Sequence, residues 1–475
     1  MKKDEIKALD PRNIDNSVKL GNDFYHYAVG NWLKNNPIPE EYSSWGSFNI
    51  LAEENLHRLR GIMEKAEKGK GGHIAEIVGD FYFTGMNEEK IEADGIKPLK
   101  PEFEKINKIK DRTDLVKAIA HLHRTAAGPL FGIYIGADPA NSDINIAQLG
   151  QGGLNLPDRD YYLKTDKETR KIKEAYIKHV QNIFRLIGET KPAAERSAAA
   201  VLKIETELAK ISRSKVELRD PRKNYNPMSL KKLTGLSGKF NWALYFRDLG
   251  LKSPGKLNVG QPAFFKGISR LLDKFSLFEW QAYLRFCLVN GNAGYLSSDF
   301  VEENFNFYGK TLNGAQKLMP RWKRAVSTVS GNLDQAVGKL YVKEYFPPEA
   351  KRRAVLMVEN IRAAFGERIR RLDWMGEKTK KQAQKKLAAM AFKIGYPDKW
   401  KDYSKLALKR DSYILNAIRA GQFEFQRDLK KVGKPVDRTE WWMSPQTVNA
   451  SYDPSKNDMT FPAGILQPPF FSPAA

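Results

Sequence analysis

The sequence predicts a mainly α-helical protein, and three observations carry that expectation. Apolar residues recur every three or four positions through its longest segments, turn-forming clusters separate those segments, and only two stretches alternate as strands do. After Pro347-Pro348-Glu349, the residues Val355, Val358, Ile361, Phe365, Ile369 and Leu372 form one such stripe, and proline suits a first helical turn. A second helix is expected after Pro192, with Val201, Ile204, Leu208 and Ile211 on its apolar face and Glu, Lys and Arg elsewhere. Between helices lie KGKGG (68–72), LGQGGLNLPDRD (149–160), RDPRKNYNP (219–227) and GYPDKW (395–400).

The two strand-like stretches fall at DINIAQLG (143–150) and near the end of the sequence. In the latter, TVNASYD, the turn residues Asp453 to Asp458 and MTFPAGIL read as a hairpin. A hairpin after so much helix suggests a second, β-containing domain just beginning.

With 475 residues, 41% of them hydrophobic, the chain can bury a large core. No apolar run follows the lysines of MKKDEIKALDPRN, and nowhere do about eighteen apolar residues stand together. The expectation is a cytoplasmic protein, or an exported or periplasmic one if the true start lies elsewhere. Cys287, the single cysteine, sits in WQAYLRFCLVN, where a buried, inert thiol is expected. The net charge of +23 raises the question of nucleic acid. Its densest run, GEKTKKQAQKKLAAM (376–390), places Leu387 and Met390 at helical spacing among lysines, the pattern of a solvated helix face. A basic nucleic-acid binder is therefore the least favoured reading.

Candidate sites are sparse. The histidines are His26, His57, His73, His121, His123 and His179, and no H-E-x-x-H occurs to set two imidazoles one helical turn apart around a metal. His121 and His123 would lie about 200° apart on a helix and could not share an ion. Gly150-Gln151-Gly152-Gly153 looks like a phosphate cradle but leads into Leu154-Asn155-Leu156-Pro157, which favours a structural turn. Val448-Asn449-Ala450-Ser451-Tyr452 has the form of an exposed strand able to receive an extended peptide. Alternation would point Asn449 and Ser451 one way, Ala450 and Tyr452 the other. The Asn449 carboxamide offers an acceptor and two donors to a peptide unit, and the Ala450 carbonyl a further acceptor.

VNASYDPSKNDMTFPAGILQPPFF (448–471) resembles the neprilysin-like zinc metallopeptidases, whose substrate-binding strand usually reads Asn-Ala-Tyr-Tyr. The resemblance extends in order through NDFYHYAVGNWLKNNPIPEEYSSWGSF (22–48), GLNLPDRDYYL (153–163), LYVKEYFPPEAKRR, LDWMGEKTKKQAQKKL and KIGYPDKW. It implies the large helical cap lobe of a two-lobed peptidase around a central cavity, followed by the first hairpin of a thermolysin-like catalytic lobe. The expected domains are an extension over 1–21, a helical domain over 22–430 whose residues 22–56 pack on the catalytic lobe, and an incomplete catalytic domain over 431–475. Asn449 and Ala450 match the family's peptide-binding pair.

The implied activity is hydrolysis of small peptides on the amino side of hydrophobic residues, with zinc in the complete enzyme. The family's H-E-x-x-H, its later glutamate ligand and its transition-state histidine have no match here. The expectation is a fragment that binds no zinc and cleaves nothing alone, with small peptides and a missing catalytic region as partners. The alternative is a non-catalytic peptide-binding protein. Ser451 stands where the family usually has tyrosine, and Ser44 where some members have an arginine for a substrate's terminal carboxylate.

Overall fold

The computed structural model describes residues 10–69, 71–125 and 127–472. Helix dominates, as the apolar periodicity predicts, and among the described residues no helix is long and apolar enough to cross a membrane. The chain divides into two compact units that alternate along the sequence. One comprises residues 79–312 and 403–438; the other comprises 1–78, 313–402 and 439–475.

The first of these units has a continuous apolar core. At its centre the helix Lys191–Ile211 buries Val201, Ile204 and Leu208 against the helices Lys167–Leu186 and Leu277–Asn292. Ser276 and Glu279 cap the start of the last of these reciprocally, side chain to backbone. Phe131 is surrounded by His123, Phe240, Trp242, Tyr245 and Phe265 at centroid separations of 4.9–5.7 Å. Tilted and edge-on ring pairs of this kind add roughly 0.5–1.5 kcal/mol each beyond the area they bury.

A four-stranded sheet, β1 (Phe131–Asp138), β2 (Asn141–Gln151), β3 (Pro227–Met228) and β4 (Leu257–Val259), runs in the order β1-β2-β4-β3. The expected strand at 143–150 falls within β2, but its neighbour β1 had no clear alternation to announce it. In β2 itself Ile146, Ala147, Gln148 and Leu149 are all buried, because both faces of the strand are covered.

In the other unit the helix Ser47–Glu67 buries Leu51, Leu59, Ile62 and Met63 and packs on the helices Arg321–Asn332 and Asp334–Tyr345. The long helix Pro348–Arg371 starts and ends where its proline and its apolar period indicate, but its stripe is used differently from the expectation. Its buried residues are Ala350, Ala354, Gly366 and Ile369, set against the helix Glu377–Ala388 and strand β5 (Ala391–Gly395). Ile361 and Phe365 are exposed. Small residues let neighbouring backbones approach closely, so the contact runs along one border of the apolar face rather than its middle.

The C-terminal hairpin is present. Strands β6 (Ser451–Asp453) and β7 (Asp458–Pro462) pair antiparallel with Ser451 opposite Thr460, and β7 also pairs in parallel with β5. Asp453 holds the turn by accepting from the Ser455 backbone N–H (2.9 Å) and hydroxyl (2.6 Å). Asn457 takes the left-handed conformation (φ 51°) that asparagine tolerates.

Candidate functional site

The residues leading into the hairpin are pinned from several sides. Asn55 donates from Nδ2 to the Gln446 carbonyl (2.7 Å), and Gln446 Nε2 donates to Ser330 Oγ (2.9 Å) and the Asp334 carbonyl (3.0 Å). The Gly464 N–H donates to the Pro445 carbonyl at 2.8 Å. Gly464 lies so close that a Cβ there would come within 2.6 Å of the Gln446 carbonyl carbon and the Thr447 oxygen, so only glycine fits. The segment Pro445–Thr447 is thereby locked between three helices and the chain that follows β7.

From this anchor emerge the two residues singled out in the sequence. Asn449 is exposed and Ala450 partly buried, and both precede β6 rather than lying within it. The reason is local: Asn449 Oδ1 accepts the Ala450 N–H at 2.8 Å, an arrangement that competes with strand pairing. One acceptor of the expected bidentate grip is therefore occupied, whereas the Nδ2 amide belongs to an exposed side chain. Beyond them, β6 is the outer strand of the order β5-β7-β6, so one of its edges faces no strand among the described residues. Tyr452 is exposed on it.

The face of this sheet that carries Ser451 is unexpectedly polar. Lys393 and Asp458, both buried, form an ion pair of 2.6 Å, and Lys393 Nζ donates a second bond to the Glu440 carbonyl (2.9 Å). Thr460 is wholly buried opposite Ser451. Nothing in the sequence marked these residues beyond a lysine and an aspartate at alternating positions in two short strands. Ser44, aligned with a family arginine, is exposed in the loop before the helix Ser47–Glu67.

The GLNLPDRDYYL segment is held in the other unit by a buried polar network that the sequence analysis missed. Glu205, wholly buried, accepts from Asn155 Nδ2 (2.5 Å), Tyr162 OH (3.0 Å) and Tyr176 OH (2.7 Å). It is buried with the apolar residues of the helix Lys191–Ile211, whereas the expectation put the glutamates of this helix off its apolar face. An acidic residue one position after Ile204 and three before Leu208 was the signal available. Burial raises its carboxyl to about 7 despite the three donors. The chain of bonds continues: Asn290 Nδ2 donates to Tyr308 OH (2.8 Å), and His179 bonds Glu303 (2.9 Å) and Asn290 Oδ1 (3.0 Å). Gly153, at φ +78°, lies against Leu130, and its carbonyl accepts from Tyr283 OH (2.8 Å). The glycine run is thus a structural turn.

The remaining candidates also have places. Cys287 is buried and its thiol is pushed up to about 12 by desolvation, which keeps it inert. His121 pairs with Glu102, while His123 bonds Tyr245 OH (2.6 Å) and the Pro129 carbonyl (2.7 Å), so the two face different neighbours. Among the described residues no three His, Cys, Asp or Glu side chains are placed to hold a metal ion. The described residues therefore do not offer the ligand set that zinc needs.

Comparison with known proteins places the chain among peptidases. The profile of peptidase family M13 matches residues 20–397. An endothelin-converting enzyme homolog of Locusta migratoria is 31% identical over 96% of this chain and 66% of its own length. Human endothelin-converting enzyme 1 is 31% identical over 97% of this chain and 62% of its own. The chain therefore spans about two thirds of the length of these relatives. Among solved structures, the Mycobacterium tuberculosis zinc metalloprotease Zmp1 in complex with inhibitor superposes with a TM-score of 0.92 at 35% identity. That superposition covers 98% of this chain and 71% of that one. PepO from Lactobacillus rhamnosis gives 0.87 at 25% identity, covering 96% and 72%.

Proposed function

Since this chain belongs to peptidase family M13, we infer that it supplies the peptide-binding part of a zinc metalloendopeptidase acting on small peptides at the amino side of hydrophobic residues. The observation that carries this is Asn449-Ala450 emerging from a locked segment into the outer strand β6. An extended peptide laid along that edge would continue the sheet through main-chain hydrogen bonds, which accept almost any sequence. Asn449 Nδ2 would meet a substrate carbonyl, and the anchored segment behind it would keep the carboxamide in place. Ser451, small where the family usually has tyrosine, leaves the neighbouring side-chain site wider. Zinc would polarise the scissile carbonyl when bound. Its ligands would come from the part of the relatives' length that this chain does not span, so the chain alone would bind peptide without cutting it.

Fluorescence anisotropy with a labelled hydrophobic peptide tests this. The folded chain should bind, and Asn449→Ala should weaken binding about tenfold, the loss of one or two hydrogen bonds. Absence of binding by a folded chain, or equal binding by the variant, would sink the reading.

A further inference from the structure

The sheet order β1-β2-β4-β3 leaves β1 at one margin, and among the described residues no strand pairs with its outer edge. Exposed edges are ordinarily blunted by lysine, proline or a bulge. β1 reads FGIYIGAD from Phe131 to Asp138, without lysine or proline, and its register with β2 shifts only between Ala137 and Asp138. Its outer N–H and C=O groups therefore stand in a regular row, with Tyr134 63% exposed at the middle of the strand.

Beside this edge lies a cavity of about 330 Å³. It is bordered by Phe131, Gly132 and Ile133 on the strand and by Gly421, Phe425 and Asp428 on the helix Tyr413–Leu429. Successive strand side chains point to opposite faces, so three residues in a row border one space only along the strand's edge. Gly421, Phe425 and Asp428 are spaced four and three apart and share one line of the helix. The cavity is thus a groove between a strand edge and a helix, widened where Gly421 has no side chain. All of it belongs to the unit of 79–312 and 403–438.

The start of the groove is fixed. Leu130 takes a left-handed φ of 70°, uncommon for any residue but glycine, and is wholly buried with its N–H donated to Tyr283 OH (2.9 Å). Asp428 pairs with Lys431 (2.8 Å) and Arg427 (3.3 Å), so the carboxylate in the lining is already neutralised. What the groove offers is apolar surface and backbone hydrogen-bonding groups.

We propose that the edge of β1 and the facing line of the helix Tyr413–Leu429 form a second peptide-binding groove. It takes an extended polypeptide as an added strand and seats an apolar side chain against Phe131, Ile133 and Phe425. A polypeptide presents N–H and C=O groups at the strand's own spacing, and alternate side chains then reach the adjoining pocket. The helix leaves width for one extended chain, whereas a second copy would bring a whole sheet and its own flanking helix to the same edge. The groove does not involve Asn449.

The probe is a fluorescein-labelled octapeptide alternating leucine and threonine, titrated into the full 475-residue chain and followed by anisotropy and amide hydrogen exchange. On saturation, exchange across 131–137 should slow about tenfold or more. A strand pairs on one side through every second residue, so methylating one alternate set of peptide nitrogens should abolish this protection and methylating the other should leave it. Gly421→Leu, which fills the groove from the helix, should weaken binding about tenfold. Should that variant fail to fold, the methylated peptides decide the matter on the parent chain. No binding, no protection across 131–137, equal effects of the two methylated sets, or self-association of the chain through β1 would overturn the proposal. Protection confined to 451–453 would overturn it and leave the proposed function standing, whereas protection confined to β1 would do the reverse.

Discussion

Tyr176 and Glu205 meet at 2.7 Å in the interior of the unit formed by 79–312 and 403–438, and among the described residues no cation pairs with the carboxyl. Only neutral donors, Asn155, Tyr162 and Tyr176, satisfy it, and burial holds its pKa at about 7 against an ordinary 4.5.

That relationship sets a pH dependence. A carboxyl with a raised folded pKa takes up protons in the folded state first, so its stabilising contribution is complete below pH 4.5 and is lost as pH rises towards 7. The span corresponds to a loss on the order of 3 kcal/mol. The urea midpoint at pH 7.5, relative to that at pH 5, should therefore be higher in Glu205→Gln than in the parent chain. An unchanged difference would show that Glu205 ionises freely.

His123 should act in the opposite direction. Its Nε2–H donates to the Pro129 carbonyl and its Nδ1 accepts from Tyr245 OH, which fixes a neutral ring, and desolvation lowers its pKa to about 4 from 6.5. Stability it contributes is full above pH 6.5 and is lost as pH falls towards 4. The His123 ring proton resonance should stay constant above pH 5. A titration midpoint near 6.5 would contradict the buried neutral ring. Because Glu205 and His123 oppose each other over overlapping windows, the parent chain should vary less with pH than either variant lacking one of them.

Gly464→Ala should reach the candidate site without touching it. The new Cβ would press on the Gln446 and Thr447 backbone, so the segment ahead of Asn449 must move. Overpacking against backbone costs roughly 1–3 kcal/mol. Both the urea midpoint and peptide anisotropy should fall, and a variant of parental stability and binding would refute the anchoring role.

Lys393→Met should leave Asp458 buried without its partner, at a cost of roughly 3–5 kcal/mol, whereas Lys393→Met/Asp458→Leu should recover much of it. A double-mutant cycle by chemical denaturation separates these outcomes. A single variant no worse than the double would mean that the pair is not the element stabilising this sheet.

By itself the sequence determined the helices, the terminal hairpin, the inert burial of Cys287 and, through its ordered motifs, the family. These are local properties: the apolar period of Val201, Ile204 and Leu208, the proline at Pro348 and the turn residues Asp453 to Asp458 act within a few residues of chain. The Asn449-Ala450 pair was legible as a motif, but not its position just before β6, which depends on one side chain bonding its neighbour's N–H. Only tertiary structure decided that Glu205 lies inside, that Lys393 meets Asp458, and that Ile361 and Phe365 stay uncovered on a stripe whose period suggested burial. Helical spacing tells which side chains share a face. What covers that face depends on residues distant in sequence, and for Ile361 and Phe365 no described residue does so fully.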